Sequence, residues 1–287
     1  MARRLVAVIA LALCAVSLSA AHAAPVRNGR LLLLTCDPTE EGSQRSSHFR
    51  TMRPDGGDFR TIAKFNSSDN YCYIDRATWS PDGRRIVYST GISIWVMRAD
   101  GKRRRLVLND GGYASWSPNG REIVFTASPH TGQLAVWRVR PDGNGVRQVT
   151  PGVEADLYEP SWSPDGRTIA FTQYLKGEET IWTVRVNGSR LRKLGRGRWP
   201  DWSPDGRRII FTDGLSVWTM APNGGSRRRL TPPVLEDETN QATYSPDGTR
   251  IAFTRAGRLW IMTAGGKRAH IVSPVDTFVG LVDWRRR

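Results

Sequence analysis

The chain has 287 residues, 39% of them apolar and eleven of them Trp, which suffices for the core of one large β domain. Its net charge of +15 comes from 37 Arg and 5 Lys against 27 acids. So strong an Arg skew is more readily produced by genome base composition than by selection for phosphate contacts, and nucleic acid is not expected as a partner.

Residues 1–23 read as a signal peptide, with Arg3 and Arg4, an apolar stretch from Leu5 to Val16, and Ala21-His22-Ala23 as a small-x-small cleavage site. A retained membrane anchor is the competing reading, against which the apolar stretch is short for a bilayer. Cys14 as a lipidation site is disfavoured by Leu13, which stands where a small residue is needed. No later segment is long enough to span a membrane, and the chain is expected to be exported, periplasmic or extracellular. The mature part, residues 26–287, begins with Arg30 to Thr35, which reads as a second strand, Phe49 to Met52 as a third and Phe59 to Ala63 as a fourth. Nothing ahead of Arg30 resembles a first strand.

A repeat then takes over. Trp79-Ser80-Pro81-Asp82-Gly83 recurs at Trp116, Trp162, Trp202 and Tyr244, each followed by Ser-Pro-Asp-Gly or Ser-Pro-Asn-Gly, and Trp284 stands alone near the end. Intervals near 40 residues are those of one four-stranded propeller blade, provided each unit reads as strands. Each does: an apolar run such as Ile86 to Tyr88 or Ile209 to Phe211 follows the turn. A strand centred on Trp95, Trp137, Trp182, Trp218 or Trp260 comes next, then a glycine turn and a short basic strand such as Arg103 to Leu108 or Arg227 to Thr231. Pro fixes one φ and Asp-Gly supplies the left-handed position that reverses strand one into strand two. The first strand missing from the N-terminal unit reappears as Leu281-Val282-Asp283-Trp284. The expectation is an all-β, six-bladed propeller of four-stranded antiparallel blades, closed by the C-terminal strand joining the N-terminal blade, so that no sheet edge stays open.

The unit W-S-P-D-G-x-x-I-x-F-T, followed by I-W and a D-G turn, resembles the TolB-type propeller repeat, a relative of WD-repeat blades in bacterial envelope proteins. The resemblance covers roughly residues 26–287. It implies an envelope-associated scaffold role, though neither the N-terminal domain of TolB nor the hydrolase domain of prolyl-oligopeptidase-like enzymes is recognisable here.

After processing, Cys36 and Cys72 remain as an even pair, expected to form a disulfide in an oxidising compartment on one face of the disc, worth about 3–4 kcal/mol if unstrained. That face carries the loops joining strand two to three and strand four to the next strand one. Its loops vary in length, whereas the opposite turns stay short, and it gathers most of the acids. Asp75, Glu154, Asp156, Glu159, Glu236, Asp237 and Glu238 are the candidate partner-binding residues. Trp79, Trp116, Trp162, Trp202, Tyr244 and Trp284 are assigned to structure.

Catalysis finds little support: there is no Gly-x-Ser-x-Gly elbow, and His48, His130 and His270 fall in unrelated positions. Asp75, Glu159, Asp201 and Asp283 could reach the channel, where a metal-dependent hydrolase would need them. Asp201 and Asp283, however, occupy the place before the repeat aromatic that Thr78, Ser115, Ser161 and Thr243 hold elsewhere, which suits a structural hydrogen bond equally. The sequence is therefore read as a monomeric, non-enzymatic scaffold without cofactor or metal, binding a protein or peptide with a basic segment through its acidic loop face and channel mouth. A propeller that binds, or hydrolyses, a small ligand or carbohydrate in the channel is the alternative.

Overall fold

The computed structural model describes residues 28–36, 46–66, 74–91, 93–128, 132–235, 238–275 and 277–286. The expected signal segment and Cys72, His130, Glu236 and Asp237 lie outside them. In chain order the strands are β1 (Asn28–Cys36), β2 (Ser46–Met52) and β3 (Arg60–Asn66); β4 (Arg76–Trp79), β5 (Arg85–Ser89), β6 (Ser93–Arg98) and β7 (Arg105–Asn109); β8 (Gly112–Trp116), β9 (Ile123–Ala127), β10 (Ala135–Val139) and β11 (Arg147–Gln148). They continue as β12 (Asp156–Trp162), β13 (Thr168–Leu175), β14 (Glu178–Arg185) and β15 (Arg192–Arg196); β16 (Arg198–Trp202), β17 (Ile209–Thr212), β18 (Val217–Met220) and β19 (Arg228–Arg229); β20 (Thr239–Tyr244), β21 (Arg250–Arg255), β22 (Arg258–Thr263) and β23 (His270–Ile271); and β24 (Phe278–Arg286).

These strands make six antiparallel four-stranded sheets, and the sheet of the N-terminal blade runs β24-β1-β2-β3. The closure expected from the sequence is therefore present, with Leu31 opposite Trp284, Leu33 opposite Val282 and Cys36 opposite Phe278. Two outer strands differ in extent from the sequence reading, one shorter and one, β3, shifted and longer. The basic run from Arg227 pairs only at Arg228 and Arg229, and Phe59 precedes its strand instead of starting it.

The repeated turn explains its own residues. Ser80 Oγ donates to Asp82 Oδ1 at 2.5 Å and accepts from Arg85 N at 2.9 Å, while Asp82 Oδ1 also accepts from Arg84 N at 3.0 Å. The same bonds recur around Ser117, Ser163, Ser203 and Ser245. Gly83 stands at φ 64°, and its counterparts, out to Gly248 at 71°, share this left-handed geometry. Each such turn also abuts the blade before it: a Cβ on Gly120 would lie 3.6 Å from Pro81 Cδ, and one on Gly166 would lie 3.4 Å from Pro118 Cγ. At the seam, where Trp284 is followed by Arg285, the arginine side chain takes the proline's place against Gly83.

Between blades the core is built from the same positions of every unit. Phe125, Phe171, Phe211 and Phe253 on the second strands are 0–1% exposed, and full burial of each stabilises by roughly 1.5–3 kcal/mol. The repeat aromatics pack beside them, so that Trp79 shares a cluster with Leu34 and Phe49 of the first blade and Trp116 shares one with Val87 of the second. Each blade thus covers the apolar flank of its neighbour, and the ring has no blade to spare.

Removing residues 281–287 takes away most of β24, exposes the β1 edge and uncovers Leu31 and Leu33. The truncated chain is expected to aggregate or to lose much of its thermal stability. Size-exclusion chromatography and a melting curve check this, and a monomer that melts within a few degrees of the parent would show that closure contributes little.

Candidate functional site

Six inner strands face one another across a central channel, and their sequence positions define its layers. The residue before each repeat aromatic forms one ring: Thr78, Ser115, Ser161, Asp201, Thr243 and Asp283, all lining a cavity of about 150 Å³ that is rimmed by the turn prolines. Asp201 spans three blades, accepting from Ser161 Oγ at 2.8 Å and from Thr243 Oγ1 at 2.9 Å. Asp283 ties the closing strand to the second blade by accepting from Trp79 N at 2.7 Å. These two acids therefore do the structural work that their place in the repeat suggested.

Three residues before each repeat aromatic comes a second ring, which the sequence reading missed as a set: Arg76, Tyr113, Glu159, Trp199, Gln241 and Leu281. Four of the inner strands, β8, β12, β16 and β20, change register just here, two residues on the inner strand facing one on its partner. Such a bulge re-aims a side chain. Tyr113, Glu159 and Trp199 consequently stand at φ 53°, 57° and 55°, a left-handed conformation costing a non-glycine residue on the order of 1 kcal/mol or more. Packing and hydrogen bonds offset that cost. Tyr113 meets Tyr158 and Trp199 edge to face, with ring centroids 5.6 and 5.9 Å apart. Trp199, from the fifth blade, reaches the apolar cluster of the first two, so the aromatic layer crosses the channel.

Glu159, in this layer, is 7% exposed and accepts from Thr172 Oγ1 at 2.6 Å and from Trp199 N at 2.7 Å. Burial pushes its carboxyl up to about 7, against the opposing pull of those two hydrogen bonds. Burial likewise lifts Asp75, which accepts from Gly91 N at 2.7 Å, and Asp283, each to about 6. The Tyr113 phenol is raised by burial first and then by the charges of Asp75 and Glu159. One more polar link, Val282 N donating to Gln241 Oε1 at 3.1 Å, ties the sixth blade to the closing strand.

The acids expected to form one surface patch are thus divided by depth. Asp75 is half-buried against Gly91 N of the loop after β5, and Glu159 is an internal staple, not a solvated loop acid. Asp156 is half-buried and accepts from Leu134 N at 3.0 Å, whereas Glu154 and Glu238 are exposed. Glu238 pairs with Arg198, which also lies 3.7 Å from Glu179. Glu236 and Asp237 lie outside the described residues, as does Cys72. His48 sits in the first blade and the exposed His270 in the sixth, so they share no site. Among the described residues no group of three or more His, Cys, Asp or Glu side chains is placed to hold a metal ion, and no helix is long and apolar enough to cross a membrane.

A closed ring of six four-stranded blades around a channel defines the chain as a six-bladed β-propeller. The family model of the TolB beta propeller domain matches residues 45–272, and the chain belongs to that family. Among solved structures it is similar to TolB from Acinetobacter baumannii, with 22% identity and a TM-score of 0.72 over 89% of this chain and 66% of that one. It therefore spans just under two thirds of that protein's length. A putative TolB from Agrobacterium tumefaciens is similar at 19% identity and a TM-score of 0.65, over 91% of this chain and 99% of that one. A puromycin hydrolase mutant complexed with PGG is similar at 16% identity and a TM-score of 0.57, over 84% of this chain and 45% of that one. At such identities the likeness shows the fold alone. No curated protein sequence matches the chain.

The raised Glu159 carboxyl makes stability depend on pH. Its folded-state value near 7 lies above the unfolded value of 4.5, so between these the folded chain holds more protons, and stability rises as pH falls from 7 toward 4.5. Glu159→Gln should remove that part of the dependence, on the order of 2–3 kcal/mol. Melting temperatures of parent and variant at pH 5 and pH 8 test it: the gain at pH 5 should be larger in the parent.

Proposed function

We propose that this chain is an exported, non-enzymatic propeller scaffold that binds a protein or peptide through its loop face and the mouth of the channel. The observation that carries this reading is the position of the exposed apolar side chains. Of nine large ones among the described residues, Leu215, Leu235 and Val275 lie on loops of one face and Tyr174, Leu175 and Phe278 on the strand ends at that face, and Leu235 and Val275 are 85% and 75% exposed. Apolar groups gathered beside polar ones mark interaction surfaces. Between them stand Glu178, Asp213 and Glu238, all exposed, which suits a partner segment that is both apolar and basic. Asp75 and Glu159 are more buried than these acids.

Membership of the TolB propeller family supports placement in the bacterial envelope, and the reading of residues 1–23 as a signal peptide supports export. Cys36, at the end of β1, is disulfide-bonded, which supports the pairing with Cys72 in an oxidising compartment. Exported protein should then give no reaction with a thiol reagent under denaturing, non-reducing conditions; full labelling of Cys36 and Cys72 would refute the bond.

Exposed charges are screened beyond roughly 8–10 Å near physiological ionic strength, so association should weaken as salt rises. Replacing Glu154, Asp156, Glu236, Asp237 and Glu238 with Asn or Gln should slow association several-fold without changing the fold. Neutralising Arg103 to Arg105 and Arg227 to Arg229, on the rim of the disc, should matter less. The binding kinetics of a partner recovered from the envelope fraction decide the matter. The loop variant binding as fast as the parent, or loss confined to the arginine variant, would contradict the reading.

A further inference from the structure

Below the aromatic layer one charged side chain has its bonding left open. Arg76 is 4% exposed and lines the lower cavity. Its Nε has no hydrogen-bond partner, and none of the ion pairs among the described residues includes it. Its place follows from the strand that carries it. β4 pairs with β5 in unbroken register, Arg76 opposite Ser89 and Thr78 opposite Val87, so both side chains face the channel two positions apart. The bulge that turns Tyr113, Glu159 and Trp199 into the aromatic layer is missing from this strand. Glu159 and Asp283 both feel its charge but neither accepts a hydrogen bond from it, and a guanidinium taken out of water carries a penalty of several kcal/mol unless it is well paired, so this one still lacks a hydrogen-bonded acceptor.

The chemistry of the surrounding walls narrows what that acceptor is. The two acids of the cavity have bonds of their own: Asp201 holds Ser161 with one oxygen and Thr243 with the other, and Asp283 holds Trp79 N. A bare anion at Arg76 would still face both carboxylates across a space of about 150 Å³, so a ligand that fits must bring a positive group for them. A cavity of about that size admits a molecule of roughly six heavy atoms. The rim offers hydroxyls, among them Thr78 Oγ1, which also lacks a partner.

We infer that the lower channel binds a small zwitterion of the α-amino acid class. Its carboxylate lies on the Arg76 guanidinium, and its ammonium group points toward Asp201 and Asp283. Entry is from the turn face, between Pro81, Pro118, Pro164, Pro204 and Pro246, because Trp199 crosses the channel above. The site is therefore separate from the loop face and stands or falls independently of the partner proposed there.

The probes are glycine and L-alanine, with acetate and methylammonium as the half-ligands, added to the full protein. Binding is read by calorimetry and by the indole N–H signals of the cavity-lining Trp79, Trp116, Trp162, Trp202 and Trp284. Glycine and alanine should shift these signals saturably while leaving Trp95 and Trp137, on third strands, in place. Acetate and methylammonium should bind at least about tenfold more weakly, since each keeps only one charge-assisted contact. Arg76→Met should abolish the shifts and Arg76→Lys should retain weakened ones. No saturable shift with either amino acid, acetate binding as tightly as glycine, or undiminished binding by Arg76→Met would each overturn the assignment. The half-ligand comparison uses the unmodified chain and so holds even if the Arg76 variants fail to fold.

Discussion

Seven backbone pairings between β24 and β1, from Asn28 opposite Arg286 to Cys36 opposite Phe278, join the two ends of the chain and make the ring possible. Without them the N-terminal blade would be a three-stranded sheet with an unpaired edge facing the core. The channel would lose Asp283 and Leu281, and the second blade would lose the hydrogen bond to Trp79 N and the Arg285 side chain over the Trp79 ring. The polar lining, the cavity and the aromatic layer all presuppose this one junction.

Around the channel the blades are held by more than apolar contact. Glu159, Asp201, Gln241 and Asp283 each reach across to a neighbouring blade with a hydrogen bond, and three of them are acids. Burial raises Glu159 and Asp283 because desolvation outweighs the donors that hold them. Asp201 is satisfied on both oxygens by hydroxyls. The centre of the molecule is thus a place where charge, strain and inter-blade contact coincide, and the exposed loops around its upper mouth inherit a rigid base.

The repeat made most of the fold legible in the sequence, because a turn whose Ser, Asp and Gly each have a fixed bonding or backbone role cannot drift without losing that role. The missing first strand and its reappearance at Trp284 were legible for the same reason. What the sequence concealed was depth. Glu159 reads both as an acid of the binding loops and as one able to reach the channel; a bulge two residues long turns it inward onto Trp199 N and Thr172, and nothing in a linear spacing marks a bulge. Arg76, Tyr113 and Trp199 went unnoticed because their types differ from blade to blade; only their constant offset of three from the repeat aromatic signals a ring. The two-residue outer strands were overestimated because a run of arginines carries β-like spacing without apolar side chains to fix its length.

The Arg285 side chain, which at the seam fills the space a turn proline fills between the other blades, has a consequence for how the molecule is made. Leu34 must wait for Leu281, so the blade synthesised first is the blade finished last, and the search that unites them spans nearly the whole chain, the kind of contact that forms slowly. The other five blades can assemble from local hairpins in the order they emerge. At the final joint a flexible guanidinium, not a rigid ring, meets Gly83, leaving that joint the tolerance a late-arriving strand needs to find its register.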